Sequence, residues 1–184
     1  MLARLARLIL RLAGWTAVGG VMDDPKAVVI AAPHTSNRDG FWALTYKIAT
    51  GLDIHFFAKH SLFWFPLGNI LHALGGIDLD RRKAGSAVNK AIAMFAEKES
   101  FYFGLAPEGT RRKMRGWKTG FYRIAQGADV PVYLGFLDFG NKRIGIGPKF
   151  ELTGDQEADL ANIRKFYDGI EGRWPDKASP IAFP

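Results

Sequence analysis

The sequence predicts a single layered α/β domain, a mixed and mostly parallel sheet flanked by helices, with an N-terminal amphipathic helix. Short apolar runs alternate with stretches of helical periodicity along the chain, which is the pattern of strand–helix–strand units. The length of 184 residues suits one domain, and no internal repeat divides it. A hydrophobic fraction of 48% beside 23% charged residues is enough for a core and excludes disorder, collagen and coiled coil.

The first segment, Met1–Met22, predicts an amphipathic helix. Five apolar side chains fall in an arc of about 120°, with Leu10 outside it: Leu2, Leu5, Leu8, Ile9 and Leu12. Three arginines leave no run of about 18 uncharged residues for a membrane span, and they do not precede the apolar stretch as in a signal peptide. The apolar face either enters a lipid interface or packs on the domain. We expect residues 1–22 to form a membrane-surface helix and residues 23–184 to form the domain.

Five short apolar runs predict strands. The first is rich in β-branched residues and stops at Pro33, as a buried strand would. The predicted strands are Lys26–Ala32, Ile54–Ala58, Phe101–Ala106, Val130–Phe136 and Arg143–Ile146. The predicted helices are Phe41–Thr50, Leu62–Leu74, Gly85–Lys98, Gly120–Gln126 and Gln156–Ile170, followed by an extended end. Ligands of parallel sheets bind beyond the carboxyl ends of strands, so the loops after strands are the places to seek chemistry.

The net charge of +7 is unevenly distributed. Residues 1–150 hold 21 Lys/Arg and 11 Asp/Glu, a net of +10, whereas residues 151–184 hold 4 and 7, a net of −3. The basic part predicts an anionic partner and leaves open nucleic acid, an acidic membrane surface and a phosphorylated small molecule. The absence of cysteine excludes disulfides, cysteine nucleophiles and thiolate metal sites.

A histidine and an aspartate follow the first predicted strand, at His34 and Asp39. The aspartate could accept a proton from one ring nitrogen and fix the tautomer, which leaves the other nitrogen as a general base. The alternative is a structural hydrogen bond. The other histidines, His55, His60 and His72, lack metal-ligand spacing with carboxylates and are expected to be structural.

Two glycine-containing basic segments follow other apolar runs. Ala106–Lys113 offers a glycine for close backbone approach, a hydroxyl and three basic side chains, among which Glu108 is predicted to orient an arginine. Gly75–Lys83 closes on a second basic cluster that contains Arg81. Each segment could be a solvated turn. Together with the loop that carries His34, however, they make three loops, and this combination favours a single phosphorylated ligand. Neither the phosphate-binding loop of nucleotide hydrolases nor a serine hydrolase elbow occurs.

The motif His34-x4-Asp39, followed about seventy residues later by Glu108-Gly109-Thr110-Arg111, resembles the lysophospholipid acyltransferase family. Bacterial 1-acyl-glycerol-3-phosphate acyltransferases are members of that family. The resemblance spans Val28–Pro148 and includes the basic segment between the two motifs. It departs at Pro33, where many members carry Asn, and at Ala106-Pro107, where Phe-Pro is more usual.

The resemblance implies transfer of a fatty acyl group from acyl-CoA or acyl carrier protein to a hydroxyl of a lysophospholipid, at the cytoplasmic face of a membrane. His34 would take the proton from the acceptor hydroxyl, and Asp39 would hold the histidine in the right tautomer. No metal is required, and the thioester donor is a substrate rather than a cofactor. Five residues would bind the acceptor, chiefly its phosphate: Arg81, Glu108, Gly109, Thr110 and Arg111.

Three alternatives stay open at this point. The acceptor could be another lysolipid, or it could be water, which would make the enzyme a thioesterase. The protein could also be a non-catalytic module that binds anionic lipid or nucleic acid. A binding module of this kind would not explain the presence of His34 and Asp39. In addition, the aromatic residues do not alternate with the basic clusters, as they would if nucleic-acid bases stacked on them. We therefore expect lipid rather than nucleic acid as the partner.

Overall fold

The computed structural model describes residues 1–79 and 86–184. Seven strands join in one sheet: β1 (Thr16–Val18), β2 (Lys26–Ala32), β3 (Ile54–Lys59), β4 (Gly76–Leu79), β5 (Phe101–Leu105), β6 (Val132–Asp138) and β7 (Arg143–Phe150). Their order is β1-β7-β6-β2-β5-β3-β4. All neighbouring pairs are parallel except β6 and β7, so β1 and β7 run opposite to the other five strands.

In the described part of the chain, six α-helices cover the sheet: α1 (Leu2–Leu12), α2 (Arg38–Thr50), α3 (Leu67–Ala73), α4 (Ser86–Glu97), α5 (Gly120–Ala128) and α6 (Gln156–Tyr167). Helices α1 and α2 share a core cluster with one face of the sheet, whereas α4, α5 and α6 share the larger cluster on the other face. Helix α3 lies on the α2 side, because Lys47 of α2 donates a hydrogen bond to the carbonyl of Leu74 just after α3 (2.7 Å). The predicted mixed, mostly parallel sheet flanked by helices is confirmed.

The strand β2 occupies the predicted range, and the other predicted strands and most helices agree with the structure to within a few residues. Two strands were not predicted, β1 and β4. The prediction of one helix over Met1–Met22 is wrong in extent, because α1 stops at Leu12 and Gly14 adopts a left-handed φ of +77°. Residues 16–18 then pair with β7 and belong to the sheet. Helix α3 is also shorter than the predicted Leu62–Leu74, because a 3₁₀ turn at His60–Leu62 precedes it.

Helix α1 uses one face to pack and leaves another open. Ala6 and Leu10 are buried against α2 and the sheet, and Arg7 donates a hydrogen bond from Nε to the carbonyl of Ala49 (2.9 Å). The leucines of the predicted apolar arc remain exposed instead: Leu2, Leu5, Leu8 and Leu12. The helix therefore packs through the residue that fell outside the arc and presents a leucine stripe outward. Within residues 1–79 and 86–184, no helix is long and apolar enough to cross a membrane.

Candidate active site

The site is built on β2 and β5, which are adjacent and parallel at the centre of the sheet. Ile30 pairs with Leu105, so the two loops that follow these strands leave the same edge side by side. The first loop carries His34 and the second carries Glu108. This edge, at the carboxyl ends of the five parallel strands, is where ligands of such sheets bind.

His34 and Asp39 form a pair at the start of α2. The ring atom Nδ1 of His34 lies 3.1 Å from Oδ2 of Asp39, and the side chain of Asp39 is only 3% exposed whereas that of His34 is 24% exposed. With Nδ1 directed at the carboxylate, the other nitrogen, Nε2, is the one left to act on a substrate. The structure thus brings His34 and Asp39 into the pair that the sequence predicts.

Asp39 is held as an anion by four donors. Its Oδ2 accepts hydrogen bonds from the backbone N–H groups of Thr35 and Ser36 (both 2.8 Å) besides facing His34, and its Oδ1 accepts one from the Ser36 hydroxyl (2.7 Å). Burial by itself would raise the pKa of Asp39, but the hydrogen bonds from His34 and Ser36 outweigh it, so the pKa lies below its ordinary value. The carboxylate therefore stays charged and shapes the loop that carries His34.

Glu108 joins the two loops. Its Oε1 accepts a hydrogen bond from the backbone N–H of His34 (2.6 Å), and its Oε2 accepts one from the backbone N–H of Ser179 (3.1 Å). The residue is 1% exposed and does not line the cavity described below. Among the described residues no salt bridge links it to an arginine. Glu108 thus positions the two loops, and its predicted part in binding the acceptor stays a prediction.

The C-terminal segment, residues 170–184, braces both loops. The backbone N–H of Trp174 donates to the Thr35 hydroxyl (3.1 Å), the Ser179 hydroxyl accepts from the N–H of Met114 (3.1 Å), and the carbonyl of Ala182 accepts from the N–H of Trp117 (2.8 Å). The sequence predicts only an extended end here. No residue type announces this role, because most of the hydrogen-bonding groups belong to the backbone.

The loop after β5 turns back on itself. Gly109 has a φ of +66°, in the left-handed region that side chains other than glycine rarely adopt, so the turn favours glycine. The backbone N–H of Lys118 closes the loop by donating to the carbonyl of Pro107 (2.9 Å). Gly109, Thr110, Arg111 and Lys118 line one cavity together. Lys118 was not predicted as a site residue, and Arg81, predicted to help bind phosphate, lies outside the described residues.

That cavity has a volume of about 650 Å³, within the range of roughly 300–1,000 Å³ that is typical of small-molecule sites. Where the loops after β2 and β5 meet, its lining is polar and includes His34 and Arg111. Between the sheet and α2 its lining is almost wholly apolar, and Lys47 is the one charged side chain there among the described residues: Val29, Ala31, Ala43, Leu44, Tyr46, Lys47, Ile54 and Phe56. One cavity is thus lined by the His34–Asp39 pair, by basic side chains and by an apolar surface.

A histidine beside a buried carboxylate, next to basic side chains and above an apolar cavity, is an arrangement suited to activating a hydroxyl of an amphiphilic substrate. The comparisons with known proteins agree. A family model described as acyltransferase matches residues 20–133, which is more than half of the chain. The chain therefore belongs to the acyltransferase family and is an enzyme, which confirms the predicted family and overturns the non-catalytic binding module.

A solved structure has the same fold. It is the crystal structure of the 1-acyl-sn-glycerophosphate (LPA) acyltransferase PlsC from Thermotoga maritima, which matches with a TM-score of 0.65 at 18% identity. The match covers 94% of this chain and 79% of that one. No curated protein sequence matches the chain.

Proposed function

We propose that the protein transfers a fatty acyl group from an acyl thioester, acyl-CoA or acyl carrier protein, to the free hydroxyl of a lysophospholipid such as 1-acyl-glycerol-3-phosphate, as a step of phospholipid biosynthesis. The observation that carries the proposal is the His34–Asp39 pair at the meeting point of a basic loop and an apolar cavity. The Thermotoga maritima protein is a 1-acyl-sn-glycerophosphate acyltransferase, and an acceptor of that kind has both an acyl chain and a phosphate. Each part has a suitable surface in this site.

The chemistry is general-base acyl transfer. Nε2 of His34 takes the proton of the acceptor hydroxyl as its oxygen attacks the thioester carbonyl carbon. The new C–O bond forms, the tetrahedral intermediate collapses, the C–S bond breaks, and the thiolate leaves with the proton that His34 returns. Asp39 holds the tautomer and stabilises the transient imidazolium. Neither an acyl-enzyme nor a metal is needed, because the acceptor oxygen is itself the nucleophile.

Recognition of the acceptor phosphate falls to the loop after β5. Arg111 and Lys118 are exposed at the cavity and supply charge, and Thr110 supplies a hydroxyl. Gly109 lets the backbone approach closely. Arg81, by its resemblance to the family motif, is proposed to add a further charge.

The lipid substrates also call for contact with a membrane. The exposed leucine stripe of α1 stands beside Arg4 and Arg11, and that combination suits the surface of an anionic bilayer. The proposed location is therefore peripheral, on the cytoplasmic face. The lysophospholipid, the acyl thioester and the lipid surface are the proposed partners, and nucleic acid is not.

The test is a panel of lysophospholipid acceptors with one labelled acyl-CoA, in which labelled diacyl product and free thiol are measured together. We expect thiol release to require the acceptor and to match product one for one, with phosphate-headed acceptors preferred. Thiol release that ignores the acceptor would show a thioesterase instead. Equal use of acceptors without a phosphate would contradict the role given to Arg111 and Lys118.

A further inference from the structure

Several large apolar side chains are exposed at the edge that carries His34. They form a rim in loops or helix ends at the carboxyl ends of strands: Phe41, Leu62, Trp64, Phe65 and Met114. Trp64 is 59% exposed and Phe65 is 82% exposed, side by side in the loop that follows β3. Two adjacent aromatic side chains in water are costly for a protein that has no use for them.

Aromatic contacts link one residue of the rim to the C-terminal end of α1. Trp15, which follows α1, contacts Trp42 of α2 in a tilted arrangement (ring centroids 5.1 Å apart) and Phe139 after β6 edge to face (4.9 Å), and Trp42 contacts Phe41 (5.0 Å). These contacts fix the C-terminal end of α1 at the same edge as the site. The end of the leucine stripe at Leu12 therefore lies at the same edge as the rim.

Charge distinguishes this edge from the opposite one. The segments after β2, β3, β5 and β6 (33–37, 60–66, 106–119 and 139–142) hold six Lys/Arg and one acid, Glu108, which is buried. The segments at the other edge (19–25, 51–53, 98–100, 129–131 and 151–155) hold one Lys and seven Asp/Glu. Within the described residues, the sheet thus has a basic, aromatic edge and an acidic one.

We propose that the rim is a second bilayer-contacting surface, in which Trp64 and Phe65 insert into the interface of an anionic membrane and turn the cavity mouth toward the lipid. The inference rests on the proposed use of lipid substrates. Aromatic side chains favour the boundary between acyl chains and headgroups, and basic side chains around them attract anionic headgroups. The rim is spread over several loops that also carry the basic side chains, and this combination suits the broad surface of an anionic bilayer.

This arrangement has a functional consequence. A lysophospholipid in the bilayer has its phosphate at the headgroup level and its acyl chain below. With the rim inserted, the basic loop meets the phosphate at that level, and an acyl chain can pass between the lipid and the cavity without crossing water. Contact through α1 alone would not fix the orientation of the cavity mouth relative to the bilayer.

The chain has no cysteine, so a single introduced thiol reports one position. We would attach an environment-sensitive fluorophore in Phe65→Cys and, as the matched control, in Val21→Cys, which is 81% exposed at the acidic edge. With vesicles in which about one third of the lipid is phosphatidylglycerol, we expect the fluorescence emission to shift to the blue and to increase at position 65. We expect neither change at position 21. If vesicles bind while position 65 stays in water, or if both positions respond alike, the proposal is wrong.

A second pair of variants measures the effect without a label. The double variant Trp64→Glu/Phe65→Glu should lower vesicle affinity by about tenfold or more, because the added negative charges and the loss of the aromatic side chains both oppose insertion. Val21→Glu should not lower it. Turnover of dispersed short-chain substrates should be unchanged in both variants, which also shows that they fold. Unchanged vesicle affinity in the double variant, or conversion of a dimer to a monomer as its only effect, would overturn the proposal. Fluorophore insertion without acyl transfer would instead count against the proposed function alone.

Discussion

Replacing Asp39 by asparagine removes the charge beside His34 and keeps the shape of the side chain. The carboxylate faces the His34 ring at 3.1 Å and accepts hydrogen bonds from two backbone N–H groups and one hydroxyl. Asparagine can direct its one oxygen at Thr35 and Ser36 and its amide at the Ser36 hydroxyl, which can also accept. The loop and the tautomer should therefore survive, and the main loss should be the stabilisation of the imidazolium.

The size of that loss follows from the distance. Two unit charges about 4 Å apart interact by about 4 kcal/mol at an effective dielectric constant of about 20. That energy corresponds to roughly a thousandfold in rate at about 1.4 kcal/mol for each factor of ten. We expect kcat for acyl transfer to fall by about that factor in Asp39→Asn, with little change in KM, because the imidazolium forms only as the reaction proceeds.

The assay is release of free thiol from acyl-CoA in the presence of 1-acyl-glycerol-3-phosphate. The matched control is Asp53→Asn, because the side chain of Asp53 is 80% exposed and does not line the cavity. The control should retain full activity, and a thermal melt should show that Asp39→Asn folds. A folded Asp39→Asn enzyme within threefold of wild type would refute the reasoning, because the charge would then contribute nothing to catalysis.

Three further results are expected. Arg111→Ala should raise KM for a phosphate-headed acceptor by about tenfold and leave kcat nearly unchanged, so a fall in kcat alone would contradict phosphate binding. Glu108→Gln should lower the free energy of unfolding in urea by about 1–3 kcal/mol, because the new amide group would face one of the two N–H donors of His34 and Ser179. Unchanged stability would contradict the role of Glu108 in holding the two segments together. Because the native pKa of Asp39 is lowered, the stability it contributes is complete above its unfolded value of 3.8 and is lost as the pH falls through the native pKa. The difference in unfolding free energy between wild type and Asp39→Asn should therefore shrink below about pH 4, and a constant difference would contradict this assignment.

The sequence predicts those parts of the fold whose signal is local. Lys26–Ala32 is a continuous apolar run because β2 is central and buried on both faces, and such runs mark parallel strands. Strand β1 is three residues long, and its first two are exposed, so only its pairing with β7, more than a hundred residues away, makes it a strand. Strand β4 is also short and contains Asp78, which breaks the apolar pattern.

The helical arc of α1 is predicted correctly, but not which face the domain buries. Four of the five leucines of α1 lie on the outward stripe, and the packed face uses Ala6 and Leu10, where the small Ala6 allows close approach to α2. A helical wheel reports only the angular distribution of hydrophobic residues and contains no information about the surface that the helix packs on. The pattern therefore could not show that Leu10, outside the arc, is buried.

The same limit applies to the site. His34 and Asp39 are five residues apart at a strand end, so their pairing is a local matter. Glu108 and Ser179 are joined through a backbone N–H across 71 residues, and a backbone donor has no residue-type signal. From residue type alone, Glu108 is predicted to contact an arginine or the acceptor phosphate. In the structure its two oxygens accept hydrogen bonds from the backbone of His34 and Ser179.

His34 is proposed as the general base of acyl transfer, and one substitution tests this role most directly. His34→Ala should keep the fold and lose acyl transfer from acyl-CoA to a lysophospholipid by a factor on the order of a hundred or more. His60→Ala is the matched control, because His60 also lies close to an aspartate (2.6 Å to Asp78) but is 71% exposed and does not line the cavity. Undiminished transfer by folded His34→Ala would contradict the account, as would an equal loss in both variants.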